Sequence, residues 1–256
     1  MIVASLVAAA ALYGYGLRRA SARALALRPA AIAAFVLGLL GAGCVLLGPI
    51  DGFADASLSW HMVQHMILIN VAAPLLVLGA PLRLGLAALP PRGATQLAAA
   101  FRSAPLQALG HPAIAWLLFA AVLYGTHFSP LYELALENRP LHAFEHALYL
   151  GAAVLFWTPL LAVAPAPHAP PHVVRLLAIF LGLPMSAFLG FALYVARHPL
   201  YAHYAGRPDA LADQMNAGAV MWIAGGATLF AALLWTVADW AACERRYGAL
   251  ADAGTR

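Results

Sequence analysis

Seven long apolar segments, separated by short polar connections, leave this chain very few folds to adopt. A helix needs about 20 mostly apolar residues to cross the hydrocarbon core of a bilayer, and most of these segments reach that length. Backbone N–H and C=O groups must find partners inside lipid, so each segment is expected to be helical. The sequence therefore predicts an all-α, polytopic membrane helix bundle with about seven transmembrane helices. The segments cover residues 2–17, 29–50, 58–80, 112–127, 140–163, 172–197 and 213–240.

The amino-acid composition supports a membrane protein. Hydrophobic residues make up 64% of the chain and charged residues only 9%, whereas soluble domains average roughly 45–50% apolar and roughly 25% charged residues. A soluble domain with so few charges could not cover its core. We expect a single transmembrane helical-bundle domain over residues 1–256, in which residues 241–256 form a short cytoplasmic tail.

The distribution of basic residues predicts the orientation of the bundle. All fourteen are arginines, and if the seven segments all cross the membrane, eleven lie on one side and three on the other. The positive-inside rule then places the N-terminus outside and the C-terminus in the cytoplasm. The arginines are spread over the loops rather than clustered, which argues against a nucleic-acid partner. The three on the outer side are Arg139, Arg197 and Arg207.

Two pairs of histidines begin the third and fifth segments. His61 and His65 lie in the third segment, and His142 and His146 lie in the fifth. Residues four apart lie on one face of a helix, so each segment offers two imidazoles to the same side. Imidazole suits transition metals, and the methionine that follows each histidine of the first pair is a soft ligand that favours Cu(I). The two pairs are therefore candidate metal ligands.

The predicted topology brings further polar residues to the depth of the two pairs. The third, fifth and seventh segments run from outside to inside, and the fourth ends at the outer surface, so His127 and Asp213 also lie there. Ionisable side chains inside a membrane usually face the bundle interior and mark a functional site. Two pairs on facing helices also resemble the metal sites of helical bundles. The candidate metal ligands are His61, His65, His127, His142 and His146, with Asp213.

Acidic residues could support such a site. Helix N-termini carry a positive partial charge that disfavours a bound cation, and Glu145 and Asp213 could offset it. Either Glu145, or Asp213 together with Gln214, could also hydrogen-bond a ligand imidazole and fix its orientation. Whether any methionine binds the metal stays open, because a methionine in an apolar helix usually packs. The methionines near the site are Met62, Met66, Met215 and Met221.

Several runs of the sequence resemble the multi-span CtaG family of cytochrome c oxidase assembly factors. The motifs are long and occur in order, and the resemblance extends from about residue 51 to residue 240. They are HMVQHM at residues 61–66, APLLVLGAP at 73–81, THF at 126–128, YE at 132–133, HAFEH at 142–146 and DQMNAGAVMW at 213–222.

This resemblance implies a seven-span protein of the bacterial inner membrane that supplies copper, as Cu(I), to a haem-copper oxidase at its copper-B centre. It implies a role that is not enzymatic. The catalytic subunit of the oxidase would be a partner, and a periplasmic copper chaperone would be the donor. By position, the family's metal-binding residues fall on the five histidines and the aspartate named above.

Two other functions are compatible with the same residues. In a seven-span intramembrane zinc hydrolase, three histidines and an aspartate would hold Zn²⁺ beside an open position for water, and Glu145 would be the general base. In a b-type haem protein, histidines from two segments would be axial ligands, although such pairs usually place one histidine on each helix. Bound zinc with lipid hydrolysis would favour the first alternative, and a haem spectrum the second.

Overall fold

The computed structural model describes residues 2–23, 25, 27–163 and 169–254, with side chains as far as residue 250. Within these ranges the chain is helical and contains no strand, as the sequence predicts. The first half of the chain forms α1 (Ile2–Ala22), α2 (Pro29–Leu47), α3 (Pro49–Ala56), α4 (Leu58–Ile67), α5 (Ala73–Leu78), α6 (Pro81–Ala88), α7 (Pro91–Phe101) and α8 (Ala104–Leu109). The second half forms α9 (Pro112–His127), α10 (Pro130–Glu137), α11 (Arg139–Leu161), α12 (His172–Val195), α13 (Ala202–Ala205) and α14 (Ala210–Gly254).

Five of the seven predicted segments correspond to helices that could each cross a membrane, and a sixth belongs to a bent pair. Among the described residues, five helical stretches are long and apolar enough, and α9 with α10, bent by 68°, form a sixth if the pair is one broken span. The first predicted segment forms α1, which is not apolar enough to be counted, because Arg18 and Arg19 lie in its second half. Seven spans and the orientation of the termini stay predictions. The five stretches are Pro29–Leu47, Leu58–Ala88, Arg139–Leu161, His172–Val195 and Ala210–Leu250.

The third predicted segment is interrupted below its histidine pair. Residues Leu68–Ala72 form one turn of π-helix between α4 and α5. Pro74, which has no backbone N–H to donate, lies two residues after this turn. Wide turns of this kind leave backbone groups free for other partners. The carbonyl oxygen of Ile69 accepts a 2.9 Å hydrogen bond from Nε1 of the Trp157 indole, which ties this turn to α11.

The helix α14 is the longest element and packs along both α12 and α4. Gly190 of α12 faces Gly218 of α14 so closely that a Cβ on Gly190 would lie 2.6 Å from the Gly218 carbonyl oxygen. Small residues allow helices in membranes to approach in this way. The described part of the predicted tail continues α14 as helix, and residues 255 and 256 lie outside the described residues.

The main apolar core lies between α4, α9, α11, α12 and α14 and includes the fully buried Tyr132 of α10. A separate cluster joins α1, α2 and α6 at one flank, where Tyr13 stacks on Phe35 and donates a 2.8 Å hydrogen bond to the carbonyl oxygen of Gly79. The histidine pairs border the main core and not this flank. The site therefore depends on how α4 and α11 meet inside the larger cluster.

Arg175 lies inside α12, whereas the arginines were expected in the loops. The side chain is buried. Its Nε donates to the carbonyl oxygen of Leu160 at 2.7 Å and its Nη1 to the carboxylate of Asp239 at 3.1 Å. A buried guanidinium needs such partners, since an unpaired charge in an apolar interior is costly.

Candidate metal centre

Four histidines from two helices meet in the interior of the bundle. Each of His61 and His65 on α4, and His142 and His146 on α11, offers one ring nitrogen, and these four atoms lie within 4.8 Å of one another. The ring centroids are 4.4 Å apart in the α4 pair and 4.2 Å apart in the α11 pair, with 5.0 Å between His61 and His142. We call these residues the four-histidine group. The i, i+4 spacing in each pair places both rings on the face that meets the other helix.

The N-terminus of α4 is fixed by Asp213 from α14. Its carboxylate accepts hydrogen bonds from the backbone N–H of Leu58 at 2.7 Å, the backbone N–H of Ser59 at 3.2 Å and the hydroxyl of Ser57 at 2.8 Å. The Ser59 hydroxyl also donates to it. A carboxylate at a helix N-terminus satisfies free N–H groups and compensates the positive partial charge. Asp213 therefore acts on the helix that carries the first pair, and it lies outside the four-histidine group.

The second pair is placed by the start of α11. Asn138 precedes the helix, and its side-chain oxygen accepts the backbone N–H of Leu141 at 3.1 Å, while Pro140 occupies the first turn. Both are residues that favour a helix N-terminus at this point. His142 consequently lies at the first turn of α11, and His146 follows one turn later, where it is buried.

The orientation of the His61 ring is set by Tyr204 of α13. The Tyr204 hydroxyl donates to the carbonyl oxygen of Ala54 at 2.9 Å, so it accepts from Nδ1–H of His61, which lies 3.0 Å away. With the proton on Nδ1, the Nε2 atom of His61 has a free lone pair. That atom faces Nε2 of His65 at 3.0 Å. Hydrogen bonds of this kind on the outer ring nitrogen are typical of metal-binding histidines.

Several ring nitrogens of the group are buried without a hydrogen-bond partner. They are Nδ1 of His65, Nε2 of His142 and Nε2 of His146. Buried polar atoms normally have partners, and an unpartnered one indicates a bound ion or water or a functional role. Four neutral imidazoles that converge within one ion's reach meet the ligand requirement of Cu or Zn. The residues therefore fit a single transition-metal ion.

His127, at the end of α9, lies beside the group but is not part of it. Its Nδ1–H donates to the carbonyl oxygen of Leu123 at 2.8 Å, so its Nε2 carries the lone pair, and that atom is buried and unpartnered. The ring centroid is 6.5 Å from that of His65. His127 as a direct ligand stays a prediction, and the structure gives it the tautomer that ligation through Nε2 requires.

A buried acidic residue, Glu145, occurs on the same helix as the second histidine pair. It lies on α11 between His142 and His146, with only 1% of its surface exposed. Neither carboxylate oxygen has a hydrogen-bond partner. A buried carboxylate without a partner is costly as an anion, and a nearby cation would offset that cost. The unpartnered carboxylate is a second indication that the site binds a cation.

The match to a known family follows the same residues. The model of the Caa3_CtaG family, described as the cytochrome c oxidase caa3 assembly factor, matches residues 11–242, which include all of the histidines above. The chain belongs to this family. The resemblance inferred from the histidine motifs is thereby confirmed.

Curated relatives cover most of this CtaG-family chain. A protein of Mycobacterium bovis described as uncharacterized is 28% identical over 216 residues, which are 79% of the chain and 33% of the relative. An uncharacterized protein of Mycobacterium leprae is 27% identical over 228 residues, which are 82% of the chain and 35% of the relative. The chain thus spans about a third of the length of the curated relatives it matches. No solved structure matches the chain significantly.

The candidate donors in this CtaG-family protein are imidazoles and not thiolates. Cys44 is exposed and Cys243 is half-buried on α14, and neither belongs to the four-histidine group. Met62, next to His61, is fully buried in the main apolar core. Imidazoles alone bind several transition metals, so the group does not by itself select copper over zinc.

Sequence reasoning missed Tyr204, which holds His61. The residue lies in the short helix α13, between two predicted spans, where neither periodicity nor a known motif marks it. Burial is the largest cause that raises the pKa of its phenol, and Asp55 raises it further against an opposing effect of Arg207. The phenol therefore stays neutral at physiological pH and remains a hydrogen-bonding group.

Proposed function

We propose that this protein is a membrane-integral assembly factor that binds copper at the four-histidine group and helps to insert it into a haem-copper oxidase, at the copper-B centre. The observation that carries this proposal is the convergence of four imidazoles in a chain of the cytochrome c oxidase assembly factor family. The catalytic subunit of the oxidase is the proposed acceptor, and a periplasmic copper chaperone is the proposed donor. The protein itself performs no catalysis in this scheme.

The charge of the site supports Cu(I) as the ion. The four imidazoles are neutral ligands, so the full ionic charge must be compensated by other groups in a region of low polarity. Glu145 is a single buried carboxylate without a partner. Asp51 and Asp55 also act electrostatically on His142, but they are less buried and their charges are screened more strongly. A single buried carboxylate balances a monovalent ion more completely than a divalent one. Imidazole accepts both copper oxidation states, so this balance, and not ligand type, favours Cu(I).

We propose the orientation that the arginine distribution predicts, with seven spans, the N-terminus outside and the C-terminus in the cytoplasm of a bacterial inner membrane. The N-terminal ends of α4 and α11, and with them the four-histidine group, would then lie near the periplasmic face. Copper would enter from that side. It would leave by ligand exchange, in which an imidazole of the acceptor replaces one of the group without change of oxidation state.

An intramembrane zinc hydrolase is the second candidate. The specific observation in its favour is Glu145, a buried carboxyl without a hydrogen-bond partner on the helix of the second histidine pair, which could serve as a general base. Against it, a catalytic zinc keeps one position for water, whereas four converging histidines would fill a tetrahedral site. A b-type haem is less compatible, because the four rings lie against one another and against Tyr132 and Tyr149, with no slot between them for a macrocycle.

The proposal is tested by metal content. The wild-type protein, purified in mild detergent and loaded with Cu(I) or Zn(II), is compared by mass spectrometry with the double variant His61→Ala/His65→Ala. A matched control, His111→Ala/His198→Ala, removes two exposed imidazoles. We expect the site variant, but not the control, to lose one copper per chain.

The other outcomes separate the candidates. Equal copper in the wild type and the site variant would overturn the four-histidine group as the copper site. A preference for zinc, lost in the site variant and accompanied by hydrolysis of lipid, would replace the assembly factor with the hydrolase.

A further inference from the structure

A small cavity lies in the main core, deeper in the bundle than the four-histidine group. Its volume is about 20 Å³, and a cavity of roughly 10–15 Å³ or more holds one water-sized guest. It is therefore large enough for one ion or water and too small for an organic ligand. The helices α4, α9, α11, α12 and α14 and the π turn at Leu68–Ala72 all contribute to its wall.

Three methionines from three different helices line this cavity. Met66 comes from α4, Met185 from α12 and Met221 from α14, and all three are buried. The chain has six methionines, so those that enclose the cavity are half of the total. Thioether sulfur is a soft ligand that selects Cu(I) among biological metals.

The polar groups in the wall are already engaged in ways that favour a soft guest over water. Nδ2 of Asn70 lies 3.3 Å from the sulfur of Met66, which fixes that thioether at the cavity. The Ser186 hydroxyl donates to the carbonyl oxygen of Met221 at 3.3 Å. A buried water needs two to four polar partners. With these two donors committed, the thioethers are the principal remaining ligands, together with the amide oxygen of Asn70.

The cavity is connected to the four-histidine group through consecutive turns of two helices. Met66 directly follows His65, and Asn70 lies five residues after that histidine. Leu123, whose side chain lines the cavity, accepts the Nδ1–H of His127 through its carbonyl oxygen. At about 1.5 Å per residue, four to five residues correspond to about 6–8 Å along the helix. The cavity wall at Asn70 and Leu123 is thus a little more than one helical turn from the histidines on the same helices.

We propose that Met66, Met185 and Met221 form a second site, which binds one soft monovalent metal ion inside the bundle. The choice of copper as its ion rests on the function proposed above, whereas binding of a soft ion does not. Cu(I) would move between the sites by replacing imidazole with thioether ligands, with no electron transferred. We call this methionine-lined cavity the deep site, and no carboxylate lines it. Its affinity is therefore lower than that of the four-histidine group, as a transit site requires.

The experiment isolates each site by substitution. Leucine replaces methionine at similar volume, so Met66→Leu/Met221→Leu removes two thioethers while the core stays packed. The matched control is Met62→Leu/Met215→Leu, which changes one methionine on each of the same two helices and none in the cavity wall. Full-length protein in detergent is titrated with Ag(I) and with Cu(I), and the bound ion is examined by X-ray absorption.

We expect two Cu(I) per chain in the wild type and the control, and one in Met66→Leu/Met221→Leu. The variant His61→Ala/His65→Ala should keep one Ag(I) or Cu(I) with sulfur neighbours, and combining both pairs of substitutions should remove it. A wild type with one ion, lost in the histidine variant and unaffected by the leucines, would overturn the deep site and leave the proposed function intact. If the protein binds Ag(I) through sulfur but binds no metal at its histidines, the deep site would stand and the proposed function would be overturned.

Discussion

The carboxylate of Asp213 accepts a 2.7 Å hydrogen bond from the backbone N–H of Leu58, 155 residues earlier in the chain. The first turn of α14 thereby caps α4, the helix that carries His61 and His65. This contact gives the acidic residue a role in positioning the first histidine pair.

Replacing Asp213 with asparagine should loosen the N-terminus of α4. The asparagine amide keeps one acceptor oxygen. It loses the negative charge that stabilises the helix N-terminus, and it loses the second oxygen, which accepts some of the hydrogen bonds. We expect the free energy of unfolding to fall by about 1 kcal/mol, with weaker copper binding, in denaturant titration and in competition with a chelator. Asp209→Asn, on an exposed residue one turn earlier, is the control. Equal stability of both variants with the wild type would contradict the capping role.

Glu145→Gln should separate stability from metal binding. The amide removes an unpartnered buried carboxyl, so the metal-free protein should be at least as stable as the wild type. The bound ion loses its compensating charge, so copper affinity should fall by about tenfold or more. Thermal unfolding with and without Cu(I) checks both effects. A variant that binds copper as tightly as the wild type would show that this carboxyl does not balance the ion.

Tyr204→Phe should weaken copper binding, and it should do so only by releasing the His61 ring. Without the phenol oxygen, Nδ1–H of His61 loses its acceptor and the ring is free to rotate or change tautomer. Loss of such an orienting partner typically costs about 10–100-fold in metal affinity. Tyr194→Phe, on the half-exposed surface of α12, serves as the control. The effect should disappear when His61 is already alanine, and its persistence there would argue for a general structural defect.

Copper itself should stabilise the folded protein. A ligand that binds only the folded state at a free concentration of 100 times its Kd adds about 2.7 kcal/mol to the unfolding free energy. We therefore expect Cu(I) to raise Tm in the wild type, with a smaller rise in His61→Ala/His65→Ala. An equal rise in both proteins would place the stabilising ion elsewhere.

Gly190→Ala should destabilise the contact between α12 and α14. Its Cβ would lie 2.6 Å from the carbonyl oxygen of Gly218, so one helix must shift. Gly226→Ala, also inside a helix but with nothing within 4 Å of the added carbon, is the matched control. It should be neutral or slightly stabilising, because alanine favours a helix by about 1 kcal/mol over glycine. A control as unstable as Gly190→Ala would refute close packing as the cause.

The sequence predicted the facing histidine pairs because both signals involved are local. The i, i+4 spacing places two rings on one face, and the alternation of spans brings the N-terminal ends of α4 and α11 to the same side of the bundle. The position of Asp213 around the bundle axis is not contained in such signals. The prediction did place it level with the start of the third segment, and it does contact Leu58 there, but its neighbours depend on how α14 packs against α4.

Other features of the site depend on tertiary contacts that a single sequence does not reveal. Tyr204 lies in a connection without periodicity, and its contact with His61 exists only because α13 folds back over α4. The π turn at Leu68–Ala72 arises where Pro74 and the packing of Trp157 act on the same turn. The three methionines of the cavity are far apart in the chain, and each looks like ordinary apolar packing on its own helix.

The link from α14 to α4 also orders events during synthesis. The chain emerges from the ribosome N-terminus first, so α4 and its histidines enter the bilayer long before Asp213 exists. Until the last long helix arrives, α4 has no cap from Asp213 and no neighbour on that side. Before α14 is in place, the imidazoles of His61 and His65 are therefore held less firmly than in the completed chain. Under the proposed function, copper should therefore be loaded after α14 has folded against α4, when the site is complete.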